Sequence, residues 1–223
     1  MMVKTHPILF NTEMVRAILE DRKSQTRRRI PFWWSGEELA PYQPGDILWV
    51  RETFAVPYPI NFPLNQLVEG LPEQWMNDGM VWYRADGEYK PKENPTIGEK
   101  FNSRGPWRPS IHMPKWACRL FLRVTGVRVE RLQTISEEDA IAEGVIPLGF
   151  YDDAKDRYPV YKDYGANVFD SEEGFTRTAR ESFETLWDSL AKPGTDWASN
   201  PWVWVYCFER CEKPEGWPEV RNV

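Results

Sequence analysis

Proline restricts the secondary structure of this chain more than any other residue. Nineteen prolines are spread over 223 residues. Because proline has no backbone N–H and its ring clashes with the preceding turn, it ends or kinks a helix. We therefore expect short helices and strands joined by long ordered loops.

The length and composition are those of one folded domain. A chain of about 200 residues can bury a full apolar core, and 41% of this chain is hydrophobic. No repeat recurs at the period of roughly 20–50 residues that is typical of solenoids. We predict a single domain over residues 1–212 and a loose tail over residues 213–223.

The apolar pattern predicts strands and helices that do not alternate regularly. Strands are expected at Pro7–Phe10, Ile47–Arg51, Met80–Ala85, Cys118–Leu132 and Pro201–Phe208. Helices are expected after Asn11 or Thr12, over Glu137–Glu143 and around Phe183. This order indicates an α+β fold, a small mixed β-barrel of about five to six strands decorated with helices. Long loop excursions are predicted near residues 54–79, 86–110 and 145–174.

Charge and cysteine content narrow the class of protein. The formal net charge is −6, which argues against non-specific coating of nucleic acid, because that binding needs many Lys and Arg contacts to phosphate. Three cysteines, an odd number, argue against a secreted disulfide framework. No apolar run approaches the ~20 residues of a membrane span. We predict a cytoplasmic protein with no membrane partner.

Few side chains are available to bind a metal. His6 and His112 are the only histidines, and three residues separate Cys207 from Cys211. A zinc-dependent deaminase needs a His-x-Glu and a Pro-Cys-x-x-Cys, whereas Pro114 stands two positions after His112. The chain also lacks the Gly-x-Ser-x-Gly of serine hydrolases and the glycine-rich phosphate loops. We predict a site with neither metal nor cofactor.

The basic run from Arg22 to Arg29 reads RKSQTRRR. One interpretation is a solvated turn after a helix, in which Lys and Arg bind the last helical carbonyls. The other is a functional site, because a purely solvating run has no need of the hydroxyls and amide between its cations. Composition alone leaves both interpretations open.

Four segments resemble the blocks of one protein family, in the same order. The segment Asp21–Arg28 is similar to the hallmark of the ASCH family, a branch of the PUA-like β-barrels. The other three segments are Pro44–Glu52, Ser136–Gly144 and Trp202–Phe208. The three excursions fall outside the minimal domain, and this longer type is similar to ASCH proteins of phages and metagenomes. The resemblance implies a PUA-like barrel.

The resemblance also implies an activity, that of a metal-independent amidohydrolase. Some small bacterial ASCH proteins hydrolyse N(4)-acetylcytidine to cytidine and acetate, and their catalytic Lys, Thr and Glu fall on Lys23, Thr26 and Glu143. Ser24 stands where those enzymes often carry a second Thr, and it is a rival hydroxyl. The expected partner is a modified nucleoside, alone or within RNA. The expected substrate-binding residues are Arg22, Ser24, Gln25 and Arg28.

The chemistry of these side chains suits hydrolysis of an amide. Thr26 supplies a nucleophilic hydroxyl only if a base lies within reach. Lys23 is that base if its pKa falls from ~10.4 toward neutrality, which burial and nearby cations favour. An ionised Glu143 opposes this fall, and it either orients the lysine or carries a proton to the leaving amine. Arg28 or a backbone N–H is available to the oxyanion.

Two other functions stay open. PUA-like barrels often bind RNA, so the basic run could contact phosphates while aromatic side chains stack on unpaired bases; a ribonuclease is a variant of this function. The long aromatic loops also suit an accessory protein that binds a partner.

Overall fold

The computed structural model has an α+β fold over the residues it describes, which are 4–34, 40–56, 81–87, 106–152, 156–166 and 174–218. The helices are α1, Thr12–Leu19; α2, Glu137–Ala142; and α3, Ala179–Leu190. The strands are β1, Thr5–Leu9; β2, Gln25–Arg29; β3, Ile47–Arg51; β4, Phe54–Ala55; β5, Trp82–Tyr83; β6, Phe121–Arg131; β7, Pro147–Asp152; β8, Arg157–Lys162; β9, Phe175–Thr176; and β10, Trp202–Cys211. The predicted α+β class is confirmed.

The largest sheet has five strands in the order β1-β3-β6-β10-β2. It is mixed, since β1 pairs with β3 in parallel while β10 pairs with β2 in antiparallel register. Pro7 lies in β1, at the edge of the sheet, where a missing backbone N–H removes no ladder hydrogen bond from a central strand. Helix α1 lies between β1 and β2, which stand at the two ends of this order, as predicted from the sequence. Helices α2 and α3 lie between β6 and β10, which are neighbours in the sheet, so the prediction was wrong for these two.

Side-chain caps fix where the helices begin. The Asn11 side chain accepts a hydrogen bond from the Met14 backbone N–H at 2.8 Å, so Asn11 caps α1. Thr178 and Glu181 form a reciprocal capping box at the start of α3. Ser136 caps α2 through the Asp139 backbone N–H. Among the described helices, none is both long and apolar enough to cross a membrane.

The chain divides into two compact units. The first comprises Met1–Lys4, Ala17–Asp46 and Arg123–Glu209, and the second comprises Thr5–Arg16, Ile47–Leu122 and Arg210–Val223. The core of the first unit is built mainly from β10, α3 and the segment from 132 to 145. A single domain over residues 1–212 stays a prediction.

A loose tail was expected over 213–223, and within it residues 213–218 are described and include a buried tryptophan. Trp217 is only 7% exposed, and its ring packs against Trp49 and Phe121 at centroid distances of 5.8 and 5.0 Å. Its indole N–H donates to the Lys115 carbonyl at 2.9 Å. One tryptophan with both an apolar pocket and an acceptor is enough to fix a polar tail. Residues 219–223 lie outside the described residues.

The described residues of the excursion predicted near 145–174 include two strands, because β7 and β8 pair in antiparallel register, and β9 just after it adds to β8. The tyrosines of this segment and Val160 favour extended backbone. The prolines, glycines and aspartates between them are typical of loops, so the sequence predicted a loop. The excursion near 54–79 begins with the short strand β4, and Arg108 bridges to Phe54. The rest of the two earlier excursions lies outside the described residues, at 57–80 and 88–105. The same is true of residues 153–155 and 167–173.

Candidate functional site

Lys23 and Glu143 form a buried ion pair in the first unit. The lysine Nζ donates to Glu143 Oε2 and to the Glu143 carbonyl oxygen, both at 2.8 Å. The two side chains are only 1% and 5% exposed. Their backbones also form an isolated antiparallel bridge. Two of the three predicted catalytic residues, separated by 120 positions in the sequence, are therefore in direct contact.

The ends of α1 and α2 place the two residues. Asp21 turns the chain after α1 with a φ of +57°, and the Lys23 backbone N–H donates to the Ala17 carbonyl at 3.0 Å. Gly144 follows Glu143 with a φ of +88°, and a Cβ there would lie 2.9 Å from both Lys23 Cβ and Ala17 Cβ. Glycine is thus required at 144 both by its conformation and by the close approach of Lys23.

We expect Gly144→Ala to destabilise the protein by roughly 2–4 kcal/mol, because backbone strain and steric overlap act together. Gly194 is the matched control, since its φ is +78° but no atom lies within 4 Å of an added Cβ. Gly194→Ala carries only the strain, about 1 kcal/mol. Urea denaturation measures both variants, and equal losses would show that the contact with Lys23 adds nothing.

Arg27 joins Glu143 to two further carboxylates. Its Nη1 donates to Glu143 Oε1 at 3.0 Å, while its Nη2 donates to Glu130 at 2.6 Å and to Asp139 at 2.8 Å. The Arg27 side chain has no exposed surface. Asp139 and Glu143 are four residues apart, so they lie on one side of the turn that ends α2. The Arg27 guanidinium therefore binds the carboxylates of Asp139 and Glu143 to strand β2.

Gln25 and Arg128 contact the carboxylates that bind Arg27. Gln25 donates to Asp139 Oδ1 at 2.8 Å. Arg128 contacts Glu130 at 3.0 Å and also contacts Asp139. These contacts fix Glu130 and Asp139, two of the three carboxylates that bind Arg27, so the guanidinium holds the Glu143 carboxylate in one orientation.

The charges of the pair are set by burial and by the neighbouring cations. Burial lowers the pKa of Lys23 from its ordinary value; Glu143 opposes this change, and Arg28 and Arg27 add to it. Burial alone would raise the pKa of Glu143, but Lys23 and Arg27 together hold that pKa below its usual range. Glu143 is therefore an ionised carboxylate at neutral pH. Lys23 reaches its neutral form at a lower pH than an exposed lysine does.

Thr26 and Arg28 lie on the opposite face of β2 from Gln25 and Arg27, because successive strand residues alternate. Thr26 is buried and pairs with Tyr206 across the sheet, and Arg28 pairs with Trp204. Directly opposed residues share a face.

Arg28 also lies close enough to interact with the buried Lys23–Glu143 pair. Burial lowers the pKa of the Arg28 guanidinium, against opposing effects of Tyr42, Glu143 and Tyr206. Arg28 in turn helps to lower the pKa of Lys23. A cation is thus available beside the buried pair.

Three predicted substrate-binding residues are engaged in structural contacts. Arg22 donates to Glu20, at 2.6 and 2.9 Å, and to the Gly144 carbonyl at 3.0 Å. Gln25 binds Asp139. Ser24 has an exposed side chain, and its backbone bonds to Ala142 and Phe208. Their contact with a substrate stays a prediction.

Sequence reasoning missed the clamp formed by Arg27, Glu130 and Asp139. Residues Glu137–Glu143 were predicted as a helix with no role for Asp139, although Asp139 stands four residues before Glu143. That spacing was a usable signal, since it puts two carboxylates on one helix face. Tyr42 and Tyr206 were missed because nothing in the sequence pairs a loop with the final strand.

Within the described ranges, no group of three or more His, Cys, Asp or Glu side chains is arranged to hold a metal ion. Comparisons with protein-family models, with curated proteins and with solved structures gave no match. Function is therefore inferred from the residues of this site, and membership of the ASCH family stays a prediction.

Proposed function

We propose that this protein is a metal-independent amidohydrolase that cleaves the N-acyl amide of N(4)-acylated cytosine or cytidine. The observation that carries the proposal is the buried Lys23–Glu143 pair, in which the lysine pKa is lowered while the carboxylate stays ionised. A buried ion pair is weak evidence for a purely stabilising role. A perturbed lysine next to a fixed carboxylate is what a general base requires.

The proposed reaction has two steps. Neutral Lys23 accepts the proton of the Thr26 hydroxyl, whose oxygen attacks the acyl carbon. The C–N bond breaks as the proton passes to the exocyclic nitrogen, which releases cytidine and leaves an ester on Thr26. Water then hydrolyses the ester, releasing the carboxylic acid and restoring the hydroxyl. Arg28 is the nearby cation that suits the negative charge on the acyl oxygen in each step.

The two candidate hydroxyls provide a matched test, because Thr26 is buried whereas Ser24 is exposed. We expect Thr26→Ala to lower the release of cytidine and acetate by at least ~100-fold. Ser24→Ala should retain the wild-type rate. Chromatography of both products, in equal amounts, makes the measurement. Loss of activity in Ser24→Ala alone would assign the nucleophile to the other hydroxyl, and wild-type protein without turnover would reject the function.

The PUA-like barrel belongs to the same proposal. It is supported by the order of the five strands and by the positions of the four resembling segments, which fall at β2, β3, α2 and β10. An experimental structure with a closed barrel would agree with it. An open sheet with two free edges would contradict it.

RNA binding is the second candidate, and the exposed aromatic side chains of β7 favour it. Phe150 is 60% exposed, with the Arg157 guanidinium 4.5 Å from its ring centroid, and Tyr151 is 46% exposed. Against it, Arg27 of the basic run is buried among carboxylates. Affinity for single-stranded RNA that falls steeply with salt, and that Tyr151→Ala weakens, would support it. No binding at low salt would remove it.

A further inference from the structure

Two buried hydrogen-bond donors on the face shared by β2 and β10 have no acceptor. The indole N–H of Trp204 and the hydroxyl of Tyr206 lack a hydrogen-bond partner of regular geometry. Trp204 is 6% exposed and Tyr206 is 1% exposed. Burial raises the pKa of the Tyr206 phenol, and a hydrogen bond with the Tyr42 backbone, which lowers that pKa, has the smaller effect. Such donors are rare in protein interiors, and each one needs an explanation.

In the second unit the donors of Trp217 and Tyr83 are satisfied, whereas the buried indole N–H of Trp49 also lacks an acceptor. The Trp217 indole donates to the Lys115 carbonyl at 2.9 Å, and the Tyr83 hydroxyl donates to the Ala117 carbonyl at 2.7 Å. Burial of a tryptophan or a tyrosine in this protein therefore does not by itself leave the donor without an acceptor.

The two unsatisfied donors lie beside the proposed catalytic residues. In the β2–β10 register Tyr206 is directly opposite Thr26, and Trp204 is directly opposite Arg28. All four side chains therefore project from one face of the strand pair. Arg28 is close enough to Tyr206 and Glu143 for their charges to affect it. The face presents hydrogen-bond donors and a cation next to the nucleophile.

Half-buried aromatic rings pack against both residues. The Tyr42 ring packs on Tyr206 with a centroid distance of 4.9 Å, and Trp34 packs edge-on against Trp204 at 5.8 Å. A planar ligand ring beside the two donors can pack against these aromatic rings. The chemistry therefore selects a flat ligand that carries carbonyl oxygens.

We propose that Arg28, Trp204 and Tyr206 form the recognition face for a planar N-acylated pyrimidine, donating hydrogen bonds to its acyl and ring carbonyl oxygens. Tyr42 packs against the ligand ring. This inference rests on the proposed function and names the groups that bind its substrate. Tyr206 and Trp204 are binding residues here, while proton transfer belongs to Lys23.

The test measures binding separately from turnover. Equilibrium dialysis gives the affinity of wild-type protein for cytidine, the product, and of Lys23→Ala for N(4)-acetylcytidine. Tyr206→Phe and Trp204→Phe are each made in the wild-type protein and in Lys23→Ala. Each substitution is expected to weaken binding of the corresponding ligand about five- to tenfold, since it removes one hydrogen-bond donor to a carbonyl.

Thermal unfolding distinguishes a binding role from a structural one. Tyr206→Phe removes an unsatisfied hydroxyl, so its Tm should equal or exceed that of the wild type. The controls Tyr83→Phe and Trp217→Phe lose satisfied donors, so they should unfold at lower temperature yet bind both ligands as the wild type does.

The outcomes separate this inference from the proposed function. Turnover by the wild type with unchanged affinity in Tyr206→Phe and Trp204→Phe would overturn the inference and leave the function standing. Weaker binding in these variants, with no turnover by the wild type, would support the recognition face and reject the hydrolase. No binding of either ligand to any form would overturn the inference.

Discussion

Replacement of Glu143 by alanine is expected to destabilise the protein by about 3–5 kcal/mol, the usual effect of breaking a buried ion pair from one side. Its carboxylate accepts hydrogen bonds from Lys23 at 2.8 Å and from Arg27 at 3.0 Å. Arg27 keeps Glu130 and Asp139 in the variant. Lys23 loses its carboxylate partner while its side chain stays out of water, so the lysine carries most of the loss.

Two further variants show that the loss comes from the buried charge. Glu138→Ala removes an exposed carboxylate from the same helix and should change the free energy of unfolding by no more than about 0.5 kcal/mol. The double variant Lys23→Met with Glu143→Gln removes both charges of the pair and should recover most of the stability. A loss below about 1 kcal/mol in Glu143→Ala would contradict the buried pair, because breaking such pairs ordinarily costs several times more.

The effect of Glu143 also has a definite pH dependence. The folded-state pKa of this carboxyl is depressed below its unfolded value of 4.5. Its contribution to stability is therefore complete above pH 4.5 and is lost as the pH falls through the folded-state pKa. The difference between the wild type and Glu143→Ala should consequently narrow in acid, which urea titrations at several pH values can measure.

Lys23→Ala is expected to lower turnover by about 10²–10⁴-fold, the range for loss of a general base. Lys23→Arg separates the role of the base from that of the charge, because the guanidinium keeps the positive charge beside Glu143 but does not release its proton. Both variants should be inactive if the neutral amine is the base. Activity in Lys23→Arg would show that only the positive charge matters. Circular dichroism confirms that each variant is folded.

The pH profile of the wild type tests the same role. Because burial and the nearby arginines depress the pKa of Lys23, the rate should rise with pH over a window that ends below the ordinary value of 10.5. The unfolded lysine keeps its proton up to that value, so folded stability should also rise with pH through this interval. A rate that rises only above pH 10.5 would contradict a depressed lysine pKa.

Local sequence signals were sufficient for much of the fold. Strand β3 was predicted with its observed bounds, because five consecutive positions follow a Pro-Gly-Asp turn and all but the last are buried. The cap of α1 and the glycine that ends α2 were read from single residues. The three-stranded β7–β8–β9 sheet was missed, because its prolines, glycines and aspartates resemble the composition of loops.

The candidate site was also predicted only in part. Lys23 and Glu143 were predicted from the family resemblance, and the structure brings them into contact. The partners of Arg27 depend on how α2 packs against β2, so no residue spacing within the basic run identifies them. Tyr206 facing Thr26 depends on the register between two strands that are almost 180 residues apart along the chain.

The most direct test of the central claim is the release of cytidine from N(4)-acetylcytidine, followed by absorbance, by protein treated with EDTA. The assay is run beside Lys23→Ala at the same concentration. The buried pair predicts turnover that survives chelation in the wild type and is lost in the folded variant. Equal release by both proteins, or none by either, would contradict a metal-free amidohydrolase centred on Lys23.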